Sequence, residues 1–231
     1  MLVSCIMPTT SARAAFVPLA VRNFLAQDYP QTELVIFDDS DGRVGAALHG
    51  DARIRYIRHP QACTSLGEKR NLACAAARGE LILHWDDDDW YAPGWISSQV
   101  HTLEQSGAVI CGLSSLLFIR PLSQQCWQYT YPAGGMPWVA GATLAYRKQY
   151  WERHPFPQRN SGEDNHFVWS SGMPVAVNES GAGFAAFIHP GNTSRKHIND
   201  LLWQELPFSD ARSVLGHQLA FYSAACHQEP Q

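Results

Sequence analysis

The sequence predicts an α/β fold, and three observations carry that prediction. Apolar runs of strand length alternate with amphipathic helical segments through the first half, two of those strands run into aspartates, and beyond Gly107 short aromatic strand-like pieces take over. A chain of 231 residues, 45% of them hydrophobic, is long enough to bury a sizeable core. The absence of a linker, repeat or low-complexity tract predicts one domain whose two halves share that core.

The elements follow in order. Leu2 to Met7 is an apolar run ended by Pro8, and Ala14 to Gln27 sets Phe16, Leu19, Ala20, Phe24 and Leu25 near helical spacing. Glu33 to Phe37 is a buried strand ending in Asp38 and Asp39. Ile54 to Ile57 is a short strand, Leu66 to Arg78 an alanine-rich helix with Gly79 as its expected C-cap, and Leu81 to Trp85 a strand entering Asp86 to Asp89. Strand-like pieces follow at Val109 to Cys111, Leu116 to Ile119, Trp127 to Tyr131 and Leu144 to Tyr146, with a helix from Asp164 to Ser170. Ser209 to His227 has helical spacing. The organisation is a first α/β half over about 1–106, an α+β half over about 107–208 and a C-terminal helix in 209–231.

Composition removes several classes. A net charge of -4 and no run of Lys or Arg give no footprint for a nucleic acid polymer. No apolar stretch approaches the roughly 20 residues of a membrane span, so no span is expected, although peripheral membrane association is compatible. The first residues are strand-like, which predicts no signal peptide or anchor. Six cysteines without a CxxC pair suit reduced core thiols and a cytoplasmic location.

Four consecutive aspartates between Trp85 and Trp90 are costly, because each carboxylate raises its neighbours' pKa unless a cation intervenes. Mg²⁺ or Mn²⁺ shared between carboxylates and substrate phosphates is the simplest remedy. Ligands of open α/β sheets bind beyond the carboxyl ends of the strands, where Asp38, Asp39 and Asp86 to Asp89 should converge. The bland alternative is a solvated acidic turn with Asp87 or Asp89 capping a helix near Pro93.

Taken together, Val3 to Thr9, Leu34 to Ser40, Gly67 to Ala73 and His84 to Pro93 resemble, in order and spacing, the nucleotide-binding half of a family 2 glycosyltransferase. Gly141 to Arg147, Trp151, Pro155 to Pro157 and Gly162 to Phe167 resemble that family's acceptor-side half. The resemblance covers residue 3 to about residue 195. It implies a GT-A fold, with a Rossmann-like nucleotide-binding half and a mixed central sheet merged with the acceptor half. It also implies a nucleoside diphosphate sugar donor, usually a UDP-sugar, a glycan or other hydroxyl acceptor, inversion at the anomeric carbon and Mn²⁺ or Mg²⁺ on the diphosphate. Small relatives of this kind serve polysaccharide assembly.

Carried over residue by residue, the resemblance puts Pro8, Thr9 and Asp39 at the nucleoside, with Asp38 as a companion. Asp86 to Asp88 fall on the Asp-x-Asp motif. Asp88, five residues before Pro93, takes the usual metal position, with Asp86 next and Asp87 third. Asp86 or Asp87 would then face ribose or a metal-bound water.

Lys69, Arg70 and Asn71 open a helix where cations and free backbone amides suit phosphate or base; the alternative is an exposed Lys-Arg face. Asp164, at the family's Glu-Asp motif, is the expected general base and Glu163 its helper, against a helix N-cap as the alternative. His189, then His197, is the candidate for completing the metal site. Trp138, beside Gly134 and Gly135 and ahead of Gly141, is a candidate sugar platform or core residue, as are Trp85 and Trp90.

Two other readings stand beside transfer: a sugar-nucleotide nucleotidyltransferase and a catalytically silent nucleotide-sugar-binding protein. The first is disfavoured because Pro8 to Arg13 contains no glycine. The second is disfavoured because candidate base, metal ligands and nucleoside contacts are all present. A P-loop kinase is excluded by the lack of GxxxxGK[ST].

Overall fold

A computed structural model of the chain describes residues 1–45, 48, 50–132, 134–170, 172–179, 183–198 and 201–228. The first half comprises β1 (Val3–Thr9), α1 (Val17–Leu25), β2 (Thr32–Asp38), β3 (Ile54–Arg58), α2 (Leu66–Ala76), β4 (Leu81–His84), β5 (Trp90–Tyr91) and α3 (Trp95–Ser106). The second half adds β6 (Ile110–Gly112), β7 (Ser115–Arg120), β8 (Gln125–Thr130), β9 (Ala145–Arg147), α4 (Lys148–Arg153), α5 (Glu163–Trp169), β10 (Val175–Val177), β11 (Phe184–Phe187) and β12 (Trp203–Leu206). Helices α6 (Phe208–Leu215) and α7 (Gln218–His227) close the described chain. None of the described helices is long and apolar enough to cross a membrane.

A seven-stranded mixed sheet runs in the order β3-β2-β1-β4-β9-β6-β10, with β3, β2, β1 and β4 parallel and β9 antiparallel to both β4 and β6. Val3, Cys5, Ile6 and Met7 are all fully buried, as expected of a parallel strand covered on both faces. Because β1, β2 and β4 are parallel, Thr9, Asp38 and His84 end on one edge, and the aspartate run leaves from there. A second, five-stranded sheet, β12-β8-β7-β11-β5, faces that edge's cavity with Leu116, Phe118, Tyr129, Ala186 and Trp203. One apolar cluster joins Val3, Leu34 and Leu83 of the first half to Phe118, Trp127 and Phe184 of the second.

Several boundaries differ from the sequence expectation. The first helix begins only at Val17, behind a 3-10 turn at Ser11–Arg13, so Arg13 sits in a loop over the strand ends rather than before a helix face. Helix α2 stops at Ala76 with an extended Ala77, and Gly79 is not its cap. A Cβ at Gly79 would lie 2.7 Å from the Ser4 nitrogen, so glycine is there for close approach to β1. The C-terminal segment is two helices, broken at Gly216 with φ of 55°. Residues 229–231 of that segment lie outside the described residues. Helix α3, whose C-cap is a left-handed Gly107, and the short strands β5, β10 and β12 carried too little periodicity to be read.

The halves meet closely at the start of α2. A Cβ on Gly67 would stand 1.9 Å from the Pro157 carbonyl oxygen, and Gly67 N donates to Arg159 O at 3.2 Å. Gly67→Ala therefore forces apart two backbones, an overpacking cost of about 1–3 kcal/mol. At this chain length the melting temperature should fall by roughly 2–10 °C. An unchanged melting curve would mean that the 157–159 loop is not seated on α2.

Candidate active site

The aspartate run is a turn between β4 and β5, and both of its ends are held by buried tyrosines. Tyr91 Oη accepts the Asp86 N–H at 2.8 Å and donates to Ala142 O at 3.3 Å. Tyr222 Oη donates to Asp89 O at 2.9 Å. Phe187 N–H bonds Asp89 Oδ1 at 3.1 Å, and Thr9 Oγ1 bonds Asp87 Oδ2 at 2.6 Å. Asp87 to Asp89 are buried, so this is no solvated acidic turn.

Burial first, and neighbouring carboxylates second, push these acids upward: Asp87 to about 7, with Asp89 well above the usual range. Burial also lifts Asp86 to about 6, against the pull of Arg70. Asp88 goes the other way. Burial opposes its charge, but the His189 hydrogen bond and the Arg13 guanidinium outweigh it and hold the carboxyl at about 2. Arg13 Nη1 lies 2.6 Å, His189 Nε2 2.9 Å and Asn192 Nδ2 3.2 Å from Asp88 Oδ2. Arg13 and Asn192 were not read as site residues from the sequence, because only the folded loops bring them to Asp88.

Helix α2 begins with Ser65, whose Oγ accepts Glu68 N–H at 3.2 Å, while Glu68 Oε2 accepts Thr64 N–H at 2.6 Å. This reciprocal capping fixes the first turn, which carries Lys69 and Arg70. Both are buried and line the cavity, which rules out the exposed-face alternative. The expected free amides are not there: Leu66 N–H goes to Asn160 Oδ1, Gly67 N–H to Arg159 O and Glu68 N–H to Ser65. Any phosphate recognition at this helix must come from side chains. Arg70 is bonded to Glu163, and burial opposes its charge less than Asp86, Glu163 and Asp164 favour it. Burial in turn pushes Glu163 upward against the pull of Arg70.

Asp164 stands one residue inside α5, whose N-cap is Gly162 at φ 73°, so Asp164 is not the cap. Its Oδ1 accepts the Asn165 N–H at 2.8 Å. Opposite lies Gly141, where a Cβ would be 2.1 Å from Asp164 Oδ2; glycine here is what admits the carboxylate. Gly141 O is held 2.6 Å from His84 Nδ1, and since a carbonyl only accepts, that nitrogen carries the proton. Burial and Arg70 hold His84 well below its usual pKa, which keeps the ring neutral.

Pro8, Thr9, Arg13, Lys69, Arg70, Asp86 to Asp89, Trp138, Gly141, Glu163 and Asp164 thus line one cavity of about 580 Å³. Asp38, Asp39, Asn71, His189, His197, Trp85 and Trp90 are not among the lining residues. Asp38 is fully buried and accepts from Tyr56 Oη at 2.7 Å and Ser40 N at 2.9 Å, so it closes the turn after β2. Asp39 takes Lys69 Nζ at 2.5 Å and Cys63 N–H at 2.9 Å; burial raises its pKa, but Lys69 and Cys63 together lower it further. It stands behind Lys69, positioning the ammonium. Asn71 faces away and ties the halves together through Phe156 N and O and Trp151 Nε1.

His197 lines a separate small pocket, and Trp85, stacked on Tyr91 at 4.0 Å, and Trp90 are core. Trp138 does reach the cavity, with Nε1 on Asn165 Oδ1 at 2.8 Å. It extends an unforeseen aromatic wall: Tyr129 meets Trp138 at 5.6 Å and Trp203 at 5.0 Å, and Phe118 meets Trp203 at 4.7 Å.

Asp86, Asp88 and Asp89 each offer an oxygen within 4.8 Å of the other two. A small divalent ion with bonds of roughly 2.1 Å holds opposite ligands about 4.2 Å apart, so these hard donors fit Mg²⁺ or Mn²⁺ after slight closure. Asp89 belongs to that oxygen set, beside the expected Asp86 and Asp88. His189 Nε2 lies beside that set, 2.9 Å from Asp88 Oδ2.

Comparison with known proteins gives consistent relatives. Residues 4–164 match the family model described as glycosyl transferase family 2. The putative colanic acid biosynthesis glycosyl transferase WcaA of Escherichia coli (strain K12) is 29% identical over 175 residues, 73% of this chain and 57% of that protein. TarS of S. aureus in complex with UDP-GlcNAc superposes with a TM-score of 0.64 at 18% identity, covering 86% of this chain and 62% of that one. The mannosyltransferase PcManGT of Pyrobaculum calidifontis, in complex with GDP-Man and Mn²⁺, gives 0.61 at 17% identity over 99% of this chain and 65% of that one. The chain therefore spans a little over half the length of the curated relative.

The Arg70–Glu163 pair is buried on both sides. Arg70→Met leaves Glu163 buried without its cation and should cost about 3–5 kcal/mol in denaturant unfolding, while adding Glu163→Met should restore much of the loss. A single variant as stable as the parent would show that the pair is solvated rather than closed.

Proposed function

Because the chain belongs to glycosyl transferase family 2 and has the GT-A fold of its structural neighbours, we propose that it transfers a sugar from a nucleoside diphosphate sugar to an acceptor hydroxyl. The donor proposed first is a UDP-sugar, with inversion at the anomeric carbon. One observation carries the reading: the Asp164 carboxylate, admitted by Gly141, lines the same cavity as Asp86, Asp88 and Asp89.

In the proposed reaction Asp164 accepts the proton of the acceptor hydroxyl as its oxygen bonds to the anomeric carbon. The bond from that carbon to the diphosphate breaks, and its electron pair leaves with the diphosphate. Asp86, Asp88 and Asp89 would hold a divalent cation, which when bound would supply charge neutralisation for that leaving group. Lys69 and Arg13 add positive charge on the same side, with Asp39 orienting Lys69 and His189 orienting Asp88. Thr9 and Pro8 line the nucleotide end. Glu163 anchors Arg70, which steadies Asp86 and Asp164 electrostatically.

The wall of Phe118, Tyr129, Trp138 and Trp203 is the proposed acceptor side, where flat rings suit the apolar faces of sugars. The name of the Escherichia coli relative supports a place in polysaccharide assembly. Six free thiols support the cytoplasm as its compartment.

Asp164→Asn keeps the shape but removes the proton acceptor. Sugar transfer, or donor hydrolysis by water as its substitute, should fall roughly 10²- to 10⁴-fold while UDP affinity holds. Gly141→Ala, which crowds the same carboxylate, should lose rate in the same way with nucleotide binding retained. Near-parental turnover in Asp164→Asn would remove Asp164 as the base and turn attention to Glu163.

A further inference from the structure

The C-terminal helix α7 lies outside the segment matched by the family model, yet it reaches the aspartate turn through Tyr222. The Tyr222 ring is fully buried and stacks on Phe187 with centroids 4.1 Å apart and planes 7° from parallel. Phe187 in turn bonds the Asp89 carboxylate through its N–H. The Tyr222 hydroxyl accepts from Asn23 Nδ2 at 2.7 Å and donates to Asp89 O at 2.9 Å. With its acceptor side occupied by Asn23 of α1, that hydroxyl has one direction left for its proton, toward Asp89. One tyrosine thereby fixes the main chain of Asp89 directly and its side chain through Phe187.

We propose that Tyr222 is a positioning residue for metal binding: α7 holds the Asp89 end of the turn in the geometry that lets Asp86, Asp88 and Asp89 close on one divalent ion. The inference rests on the metal-assisted reading above. Residues that orient metal ligands typically matter about 10- to 100-fold in metal affinity. A helix that only filled core would contribute to stability and leave the affinity of the folded protein alone. Tyr91 holds the other end from within the matched segment, so the turn is clamped once by the family region and once by the C-terminal helix.

The test is calorimetric titration of Mn²⁺ into the full chain with saturating UDP, below the melting temperature of every variant. Tyr222→Phe keeps the ring stack and removes the hydroxyl; it should weaken Mn²⁺ binding about 10-fold. Leu219→Ala loosens the same helix in the cluster that seats it, without touching the turn, and should lower the melting temperature while leaving Mn²⁺ affinity at the parental value. Should Tyr222→Phe fail to fold, Asn23→Ala, which frees the hydroxyl from the bond that aims it, should weaken Mn²⁺ binding in the same direction. Parental Mn²⁺ affinity in whichever of these two variants folds makes Tyr222 a core residue and overturns the proposal. A parent chain that itself binds no Mn²⁺ would instead defeat the metal-assisted reading on which it rests.

Discussion

Holding four carboxylates in one buried turn is the constraint around which the rest of this molecule is arranged. Burial penalises each charge, and each charge penalises its neighbours, so a bare tetrad would stay protonated or unfold the turn. The chain divides the problem. Asp88 keeps its charge beside Arg13 and His189, Asp87 is bonded by Thr9, and Asp86 shares Arg70 with Glu163. Asp89, pushed by burial toward the neutral form, is bonded by Phe187 N–H and clamped at its carbonyl by Tyr222. The result is a set of hard oxygens close enough to share one small cation.

The second half completes the site through steric permissions as much as charges. At Gly67 and Gly141 a single added carbon would meet the Pro157 carbonyl or the Asp164 carboxylate. These contacts seat the 157–159 loop on the start of α2 and Asp164 against Gly141. Neutral His84 holds the Gly141 carbonyl in place, so the surface that Asp164 packs against is itself fixed. The Lys69–Asp39 and Arg70–Glu163 pairs then point two buried cations of α2 at the cavity without needing solvent to stabilise them.

Much of this was legible in the sequence wherever periodicity or local composition carried it. Buried parallel strands such as Val3–Thr9 read as apolar runs, and the order of motifs from Thr9 through Asp88 to Asp164 identified the family resemblance. What could not be read depended on long-range placement. Arg13 and Asn192 meet Asp88 only through loops, Phe118, Tyr129 and Trp203 form a wall only when β7, β8 and β12 pair, and Tyr222 reaches Asp89 across 133 residues of chain. The roles of Asp38 and Asn71 were hidden for the same reason, since a polar residue near a motif reads alike whether it faces a cavity or closes a turn. Glycine was ambiguous too: Gly79 has the position of a helix cap but serves a close approach to β1.

On the proposed reading, this buried cluster binds nucleotide by way of a divalent ion. Calorimetry of UDP and GDP binding to the parent chain, once with Mn²⁺ and once with EDTA, tests it most directly. At least one nucleotide should bind with Mn²⁺, and EDTA should weaken its binding about 10-fold or more, because a diphosphate beside Asp86, Asp88 and Asp89 is repelled without the cation. Equal affinities in Mn²⁺ and EDTA would contradict it.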